Sequence, residues 1–232
     1  MRFLKALIYI VIGGGFAYGV TVALGSQALH LDKVEVIGNS RVQAKEVVDA
    51  ARLRKGANLL QLSTSVVADH VGKIAWIDTV LVERIIPSTI RITVKERKPA
   101  ATVVIAGKTY LVDPTGIVLE EGGGSGLQVE GLPIADPAPG GRISSLAFRD
   151  SLLIFKRLPR SVSTRVAKVH AESVDRLTFE LDDGGLIIYG AAEDIDAKNY
   201  AITSLMARAS ADHREIASLD VRVPARPALR PR

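Results

Sequence analysis

The feature that most constrains this chain is a long stretch without Asp, Glu, Lys or Arg, which lies between Lys5 and Asp32. Its first part, Ala6 to Leu24, is almost wholly apolar. A helix of about 20 apolar residues crosses the roughly 30 Å hydrocarbon core of a bilayer. We therefore predict a transmembrane helix over residues 6–25.

The orientation of this helix follows from the basic residues before it. Arg2 and Lys5 predict that residues 1–5 form a cytoplasmic tail and that the bulk of the chain lies outside the cytoplasm. The alternative is a signal peptide that is cut after a small residue such as Gly25. Signal peptides have apolar cores of about 7–15 residues, so the longer stretch here favours a retained anchor.

Glycines within the predicted helix suggest a contact with another helix. Gly15 and Gly19 have the GxxxG spacing that lets two membrane helices approach closely. The alternative is that small residues are simply common in membrane helices.

Composition limits the remaining part to an ordinary globular protein of one large or two small domains. Arg2 and Lys5 supply two of the net charges in a total of +5, so the rest of the chain is close to +3 and gives no reason to expect nucleic acid as a partner. The chain has no cysteine. Disulfides, thiolate metal sites and cysteine nucleophiles are therefore excluded.

The part after the anchor begins with a pattern of strand, helix, helix, strand and strand. Ser40 lies three residues before Gln43, which is the spacing of a capping box and predicts that a helix starts there. The strongest strand signal is the alternation of apolar and polar residues from Ile90 to Val94. Two helices packed on one face of a small three-stranded sheet would bury the apolar stripes. The residues predicted to form the stripes of the two helices are Val47, Val48 and Ala51, then Val66, Val67, His70, Val71 and Ile74.

The rest of the chain is predicted to be rich in strands, with two helices. A loop rich in Gly and Pro covers residues 121–142, with one short strand near Val129. The helices are predicted over residues 146–158 and 193–208. The predicted strands are 101–105, 109–112, 117–119, 166–170, 177–181, 186–189 and 219–223.

No pattern of catalytic or metal-binding residues is found. The four histidines are scattered and no pair has the spacing of metal ligands on one element. Asp182 and Asp183 belong to an Asp-Gly turn, and the glycines of residues 122–126 lack the Lys-Ser/Thr of a phosphate loop. We predict no catalytic residue, metal or cofactor and no small-molecule substrate. The histidines are His30, His70, His170 and His213.

The stretch from Trp76 to Gly116 resembles the FtsQ/DivIB family of bacterial cell-division proteins. It contains a strand ending in a basic residue, a proline turn, a strand closing on Glu96-Arg97-Lys98-Pro99-Ala100, and the hairpin Val112-Asp113-Pro114-Thr115-Gly116. The opening Val34-Glu35-Val36-Ile37-Gly38-Asn39 is similar to the start of the family's POTRA module. The stretch Leu219-Asp220-Val221-Arg222-Val223-Pro224 is similar to its Asp-Leu-Arg strand.

The resemblance implies an α+β fold of a transmembrane helix, a POTRA domain (β-α-α-β-β) over residues 31–98 and a β-domain over residues 99–223. Residues 224–232 would form a basic, Pro-rich tail. It further implies a non-enzymatic scaffold at the division septum that joins membrane proteins of the FtsB/FtsL (DivIC) type and affects septal cell-wall synthesis. The chain would lie in the cytoplasmic membrane as a single-pass protein.

The resemblance also implies where partners bind, namely at an edge strand near the C-terminus to which a partner strand adds. Pro224 and Pro227 would remove amide donors just beyond it. A second docking edge is expected on the POTRA domain. The matching residues near the C-terminus are Leu219, Asp220, Val221, Arg222 and Val223. Those of the second edge are Thr79, Val80, Leu81, Val82, Glu83 and Arg84.

Two other functions stay open at this stage. One is an exported chaperone or secretion module with a single POTRA domain, although that class usually repeats the domain or continues into a barrel. The other is an exported enzyme that acts on the cell wall through a site that the sequence does not reveal.

Overall fold

The structure, a computed structural model, describes residues 12–15, 29–124, 126–135 and 137–232. Contacts divide the chain into two compact units, with the boundary between Arg97 and Lys98. Of the predicted transmembrane segment only residues 12–15 are described, as a helical turn, and Gly19 lies outside the described residues. The described residues contain no helix with the length and apolar character needed to cross a bilayer. The membrane span therefore stays a prediction.

The first unit has the predicted order of elements. Its central strand is β3 (Thr89–Glu96), which pairs with β1 (Lys33–Ile37) in parallel and with β2 (Ile77–Ile85) in antiparallel orientation. The elements in chain order are β1 (Lys33–Ile37), α1 (Ala44–Ala51), α2 (Thr64–Val71), β2 (Ile77–Ile85) and β3 (Thr89–Glu96).

The core of the first unit lies between the two helices and one face of the sheet. Ile90, Ile92 and Val94 of β3 are buried, as the alternation predicted. Val67 and Val71 of α2 are buried with them, one helical turn apart. The predicted burial of Val66 is wrong, because a residue next to Val67 is turned by about 100° around the helix axis, and its side chain is 48% exposed.

The predicted start of the first helix is also wrong. Helix α1 begins at Ala44, and Gln43 precedes it without a side-chain capping bond. The backbone N–H groups of residues 40–42 instead donate to the carboxylate of Glu96, at 2.8–3.0 Å. An acceptor from the far end of β3 thus replaces the local cap that the Ser40 spacing suggested.

The second unit contains a nine-stranded sheet in the order β12-β11-β10-β9-β8-β7-β4-β5-β6. The two predicted helices are present among the described residues, and a single-turn helix that was not predicted follows Pro159. The strands are β4 (Ala101–Ile105), β5 (Lys108–Val112), β6 (Val118–Glu121), β7 (Leu127–Glu130), β8 (Val166–Ser173), β9 (Arg176–Leu181), β10 (Leu186–Ile188), β11 (Ile216–Asp220) and β12 (Ala228–Pro231). The helices are α3 (Leu146–Arg157), α4 (Arg160–Ser163) and α5 (Ile195–Ala211).

The core of the second unit includes buried residues from its long helices and its strands, among them Phe148 and Ile202. The rings of Phe179 and Tyr189 meet edge to face at 5.7 Å. Lys198 is buried and its Nζ donates to the carbonyl oxygens of Tyr189 and Ala191, at 3.1 and 2.8 Å. Burial lowers the pKa of this lysine.

The C-terminal part differs most from the prediction. Strand β11 covers residues 216–220, and the last strand, β12, is formed by residues that were predicted to be a tail. Because β11 pairs with β10 on one side and with β12 on the other, the prediction that Leu219–Val223 form the edge strand is wrong. Leu219 lies opposite Leu229 in the β11–β12 ladder, and this cross-strand pair is one of the contacts that stabilise the extra strand.

Candidate partner-binding edges

The open edge near the C-terminus is strand β12. The N–H of Arg232 donates to the carbonyl oxygen of Glu215 at 3.0 Å. Glu215 directly precedes β11, so this N–H points toward β11. In an antiparallel pair, main-chain groups point toward and away from the neighbour at alternate residues. The main-chain groups of Arg230 and Ala228 therefore face β11, and those of Leu229 face outward.

Prolines occupy the outward positions on both sides of Leu229. By the same alternation, Pro227 and Pro231 face away from β11, where a missing N–H breaks no ladder bond. Of the outward positions 227, 229 and 231, only Leu229 can therefore donate an amide hydrogen. The rim that β12 offers to another strand consists of one N–H and the carbonyl groups beside it.

The opposite end of the sheet is partly covered by a segment of the same chain. Val118 at the start of β6 donates to Gly141 at 2.9 Å and accepts from Gly140 at 2.8 Å. Ile143 donates to the carbonyl of Gly116 at 2.7 Å. This covering leaves β12 as the more open of the two edges in the part of the second unit that the structure describes.

The residues predicted to bind a partner lie on the inner side of this edge or beyond β11. Leu219 and Val221 are fully buried, whereas Val223 is 60% exposed in the connection to β12. Arg222 donates from Nη2 to Oδ2 of Asp220 at 2.6 Å and from Nε to Oδ1 at 3.0 Å. These bonds to Arg222 lower the pKa of the Asp220 carboxyl.

Arg222 also packs over Gly190, since a Cβ at that glycine would lie 3.0 Å from Cγ of the arginine. The Asp220–Arg222 pair therefore braces the ends of β10 and β11.

The second predicted edge, Thr79–Arg84, lies within β2. Among the described strands β2 pairs with β3 alone, so its other side is an edge of the first unit's sheet. Leu81 is 57% exposed, while Val80 and Val82 pack against the core of the unit. Arg84 is engaged within the unit, because its guanidinium donates to the carbonyl oxygens of Leu59 and Leu62.

A group of charged side chains on neighbouring strands was not predicted. His170 bonds through Nε2 to Glu180 at 3.0 Å, and Lys168 lies 3.5 Å from the same carboxylate. The hydrogen bond with His170 has the largest effect on Glu180 and, with the contact of Lys168, lowers the pKa of this carboxyl. In the described part of the chain no three His, Asp or Glu side chains are placed to hold a metal ion.

The signal that sequence reasoning missed was Leu229, which has prolines two residues away on each side. Main-chain groups point to opposite sides of a strand at alternate residues. Pro227 and Pro231 are four residues apart, so both point to the same side, which in an edge strand can be the unpaired outer side.

Comparison with known proteins gives matches along most of the chain. Residues 29–97 match the family model "POTRA domain, FtsQ-type", and residues 101–222 match "Cell division protein FtsQ/DivIB, C-terminal". A cell division protein FtsQ of Streptomyces collinus is 31% identical, over 96% of this chain and 85% of that protein.

Mycobacterial relatives are longer than the matched region. Cell division protein FtsQ of Mycobacterium tuberculosis H37Rv is 30% identical over 89% of this chain, and the match covers 64% of its own length. A solved extracytoplasmic domain of the cell division protein DivIB from Geobacillus stearothermophilus has a TM-score of 0.32 and 17% identity, over 44% of this chain and 85% of that one.

Proposed function

The chain belongs to the FtsQ/DivIB family of bacterial cell-division proteins, and from this premise we propose that it is a single-pass, non-enzymatic scaffold of the division machinery. In this proposal the apolar stretch Ala6–Leu24 anchors the chain in the cytoplasmic membrane. The two folded units then lie outside the cytoplasm and hold partner membrane proteins at the septum, where septal cell-wall synthesis is controlled. The contact of Gly15 and Gly19 with another membrane helix is part of the same proposal.

The proposed partners are small membrane proteins of the FtsB/FtsL (DivIC) type, and the proposed mode is addition of a partner strand to β12. An open strand edge supplies unpaired main-chain groups that give affinity, and the side chains beside it give selectivity. The observation that carries this proposal is the position of β12 at the end of the nine-stranded sheet, with nothing in the described chain paired on its outer side.

The prolines set the register of such an addition. A partner residue opposite Leu229 makes both of its hydrogen bonds, because Leu229 has an outward N–H and an outward carbonyl. Residues opposite Pro227 and Pro231 can only donate to the carbonyl groups of these prolines. The partner strand is therefore short, with its best-bonded residue opposite Leu229.

The edge of β2 in the first unit is proposed as a second docking surface. Its exposed face carries Leu81, and its unpaired main-chain side is available for a second extended segment. This surface is distinct from β12 because it belongs to a different folded unit.

The test uses the tagged full-length chain in its native membrane and compares Leu229→Pro with Leu229→Ala. Both variants lose the leucine side chain, but only the proline variant loses the outward N–H. The main-chain hydrogen bonds between β12 and β11 are kept in both, since the main-chain groups of Leu229 face away from β11. We expect Leu229→Ala to capture FtsB/FtsL-type partners and Leu229→Pro to lose most of this capture.

Folding is checked on the same samples by the exchange protection of β11 amides. Equal partner capture by the two variants, with equal protection, would contradict strand addition at β12. Capture that is lost only when β2 is altered would move the interface to the first unit.

A further inference from the structure

The beginning of the first unit is tied to two loops on either side. Leu31 donates to the carbonyl of Ala57 and accepts from the N–H of Gly56, both at 2.8 Å. Leu59 donates to the carbonyl of Leu29 at 2.9 Å. Asp32 donates from its backbone to the carbonyl of Ser88 at 2.9 Å. The loop between α1 and α2 and the turn between β2 and β3 are therefore held beside the point where the chain joins the unit.

These loops expose basic and apolar side chains beside the polar Gln61 and Ser63. We call Arg54, Lys55, Leu60 and Ile86 the amino-terminal surface. Leu60 is 45% and Ile86 58% exposed. Lys55 lies 3.2 Å from Asp32, whereas Arg54 has no ionic partner in the described part of the chain. The surface thus presents net positive charge next to two isolated apolar side chains.

This surface cannot be far from the proposed membrane anchor. Only residues 25–28 separate Leu24 from Leu29, and five steps along a fully extended chain span at most about 18 Å. The two loops are bonded to residues 29–32, so they share this limit. A surface tethered so close to a bilayer meets it at high effective concentration, and even weak attraction is then sufficient for contact.

We propose that the amino-terminal surface binds the phosphate headgroups of anionic phospholipids, an inference that rests on the membrane anchor of the proposed function. Arg54 and Lys55 contact the phosphates, and Leu60 and Ile86 lie at the boundary between headgroups and acyl chains. This contact fixes how the first unit stands on the bilayer. Each basic residue near an anionic surface contributes about 1 kcal/mol, which converts to about a fivefold change in the docking equilibrium.

The absence of cysteine from the sequence permits a direct test. The full chain is reconstituted in vesicles of phosphatidylcholine, with or without phosphatidylglycerol, and a single fluorescent label is placed at Gln61→Cys beside the surface. The matched control is a label at Gln43→Cys, which is exposed just before α1. Its neighbour Val42 bonds to Glu96 at the end of β3, whereas the loops lie beside Ser88 at the start of β3. Quenching by lipids that carry a nitroxide on the headgroup measures the proximity of each label.

We expect strong quenching of the label at position 61 in phosphatidylglycerol vesicles and weak quenching at position 43. The effect should fall when the salt concentration rises from about 0.01 M to about 1 M, because the Debye length shortens from about 30 Å to about 3 Å. Arg54→Glu/Lys55→Glu should abolish it. Lys45→Glu/Lys73→Glu, which changes the same charge on other exposed parts of the unit, should not.

Two failures are distinguishable. If alkaline carbonate extracts the chain from the vesicles, the anchor is absent and the proposed function fails with it. If the chain stays integrated but quenching at position 61 equals that at position 43, or does not depend on phosphatidylglycerol, the lipid contact is overturned while the anchor stands.

Discussion

The carboxylate of Glu96 holds the segment between β1 and α1, and its removal should weaken the first unit. The backbone N–H groups of Ser40, Arg41 and Val42 all donate to it, at 2.8–3.0 Å. Ser40 and Arg41 are exposed, so water can replace the carboxylate at their N–H groups. Val42 is 4% exposed, and its N–H would be left without an acceptor.

The magnitude follows from these three bonds. Hydrogen bonds to a charged group contribute about 1.5–3 kcal/mol when buried, and an orphaned buried donor costs about 1–3 kcal/mol. With two of the three donors rehydrated, we expect Glu96→Ala to reduce the free energy of unfolding by about 2–4 kcal/mol. Glu96→Gln keeps one acceptor oxygen without the charge and should cost about 1–2 kcal/mol.

The assay uses the only tryptophan of the chain as a local probe. Trp76 lies in the first unit, with the guanidinium carbon of Arg41 4.1 Å from its ring centroid, so its fluorescence follows this unit in the full-length protein. Urea unfolding of the wild type and of each variant is recorded through this signal. Glu83→Gln is the matched control, since Glu83 is an exposed acid on β2.

The pH dependence has a defined sign. Burial opposes ionisation of Glu96, but the N–H groups of residues 40–42 outweigh it and hold the pKa of this carboxyl below its ordinary value of 4.5. A lowered folded-state pKa gives stability that is fully present above the unfolded value and is lost as the pH falls through the folded one. The difference between wild type and Glu96→Gln should therefore be constant above about pH 6 and shrink below about pH 4.5. A urea midpoint of Glu96→Ala equal to that of Glu83→Gln would refute the reasoning. A stability difference between wild type and Glu96→Gln that persists at low pH would refute it as well.

Two further predictions concern single positions. Gly38→Ala should destabilise the first unit by about 3 kcal/mol in the Trp76 assay, because a Cβ there would lie 2.2 Å from the carbonyl oxygen of Val94 at a φ of +87°. Gly56→Ala, at a φ of +81° with open space around it, should cost only about 1 kcal/mol, and equal losses would contradict the steric argument. Arg222→Glu places a second negative charge beside Asp220 and should destabilise this part of the sheet, seen as faster amide exchange at Val221. Arg222→Glu should leave partner capture at β12 intact. Arg226→Glu, in the same connection between β11 and β12, should change neither the amide exchange at Val221 nor the partner capture.

The motifs on which the family resemblance rests form contacts that hold the fold together. Gly38 lets the chain directly after β1 pass close to Val94, and Glu96 of the Glu-Arg-x-Pro-Ala stretch binds residues 40–42. Asp113 accepts from the backbone N–H groups of Thr115 and Ile117, at 2.8 Å each. Spacing alone could identify Gly38 and Asp113 as turn formers. It could not show that Gly38 lies beside Val94 or that Glu96 binds residues 40–42, because these contacts join positions far apart in sequence.

The first unit was predictable because its signals are local and repeated. The alternation along β3 and the apolar stripes of the helices each extend over several residues, so errors such as Val66 or the start of α1 do not alter the fold. The edge of the second unit depends on a pairing across a turn. Neither Leu219 nor Leu229 indicates by itself that the two lie opposite each other.

Proline explains both why β12 was missed and what its edge can do. A strand that contains or borders prolines is ordinarily assigned to a loop, because proline cannot donate to a ladder. That argument holds for a strand with neighbours on both sides. In an edge strand, the main-chain groups of every second residue face outward and make no ladder hydrogen bond that a proline could remove. Pro227 and Pro231 lie on this outer half, so they permit the pairing with β11 and at the same time restrict what can pair outside it. Pro227 and Pro231 thus make the strand hard to recognise in the sequence and also leave Leu229 as the position where a partner strand bonds best. A partner whose capture did not depend on the amide of Leu229 would have to bind elsewhere.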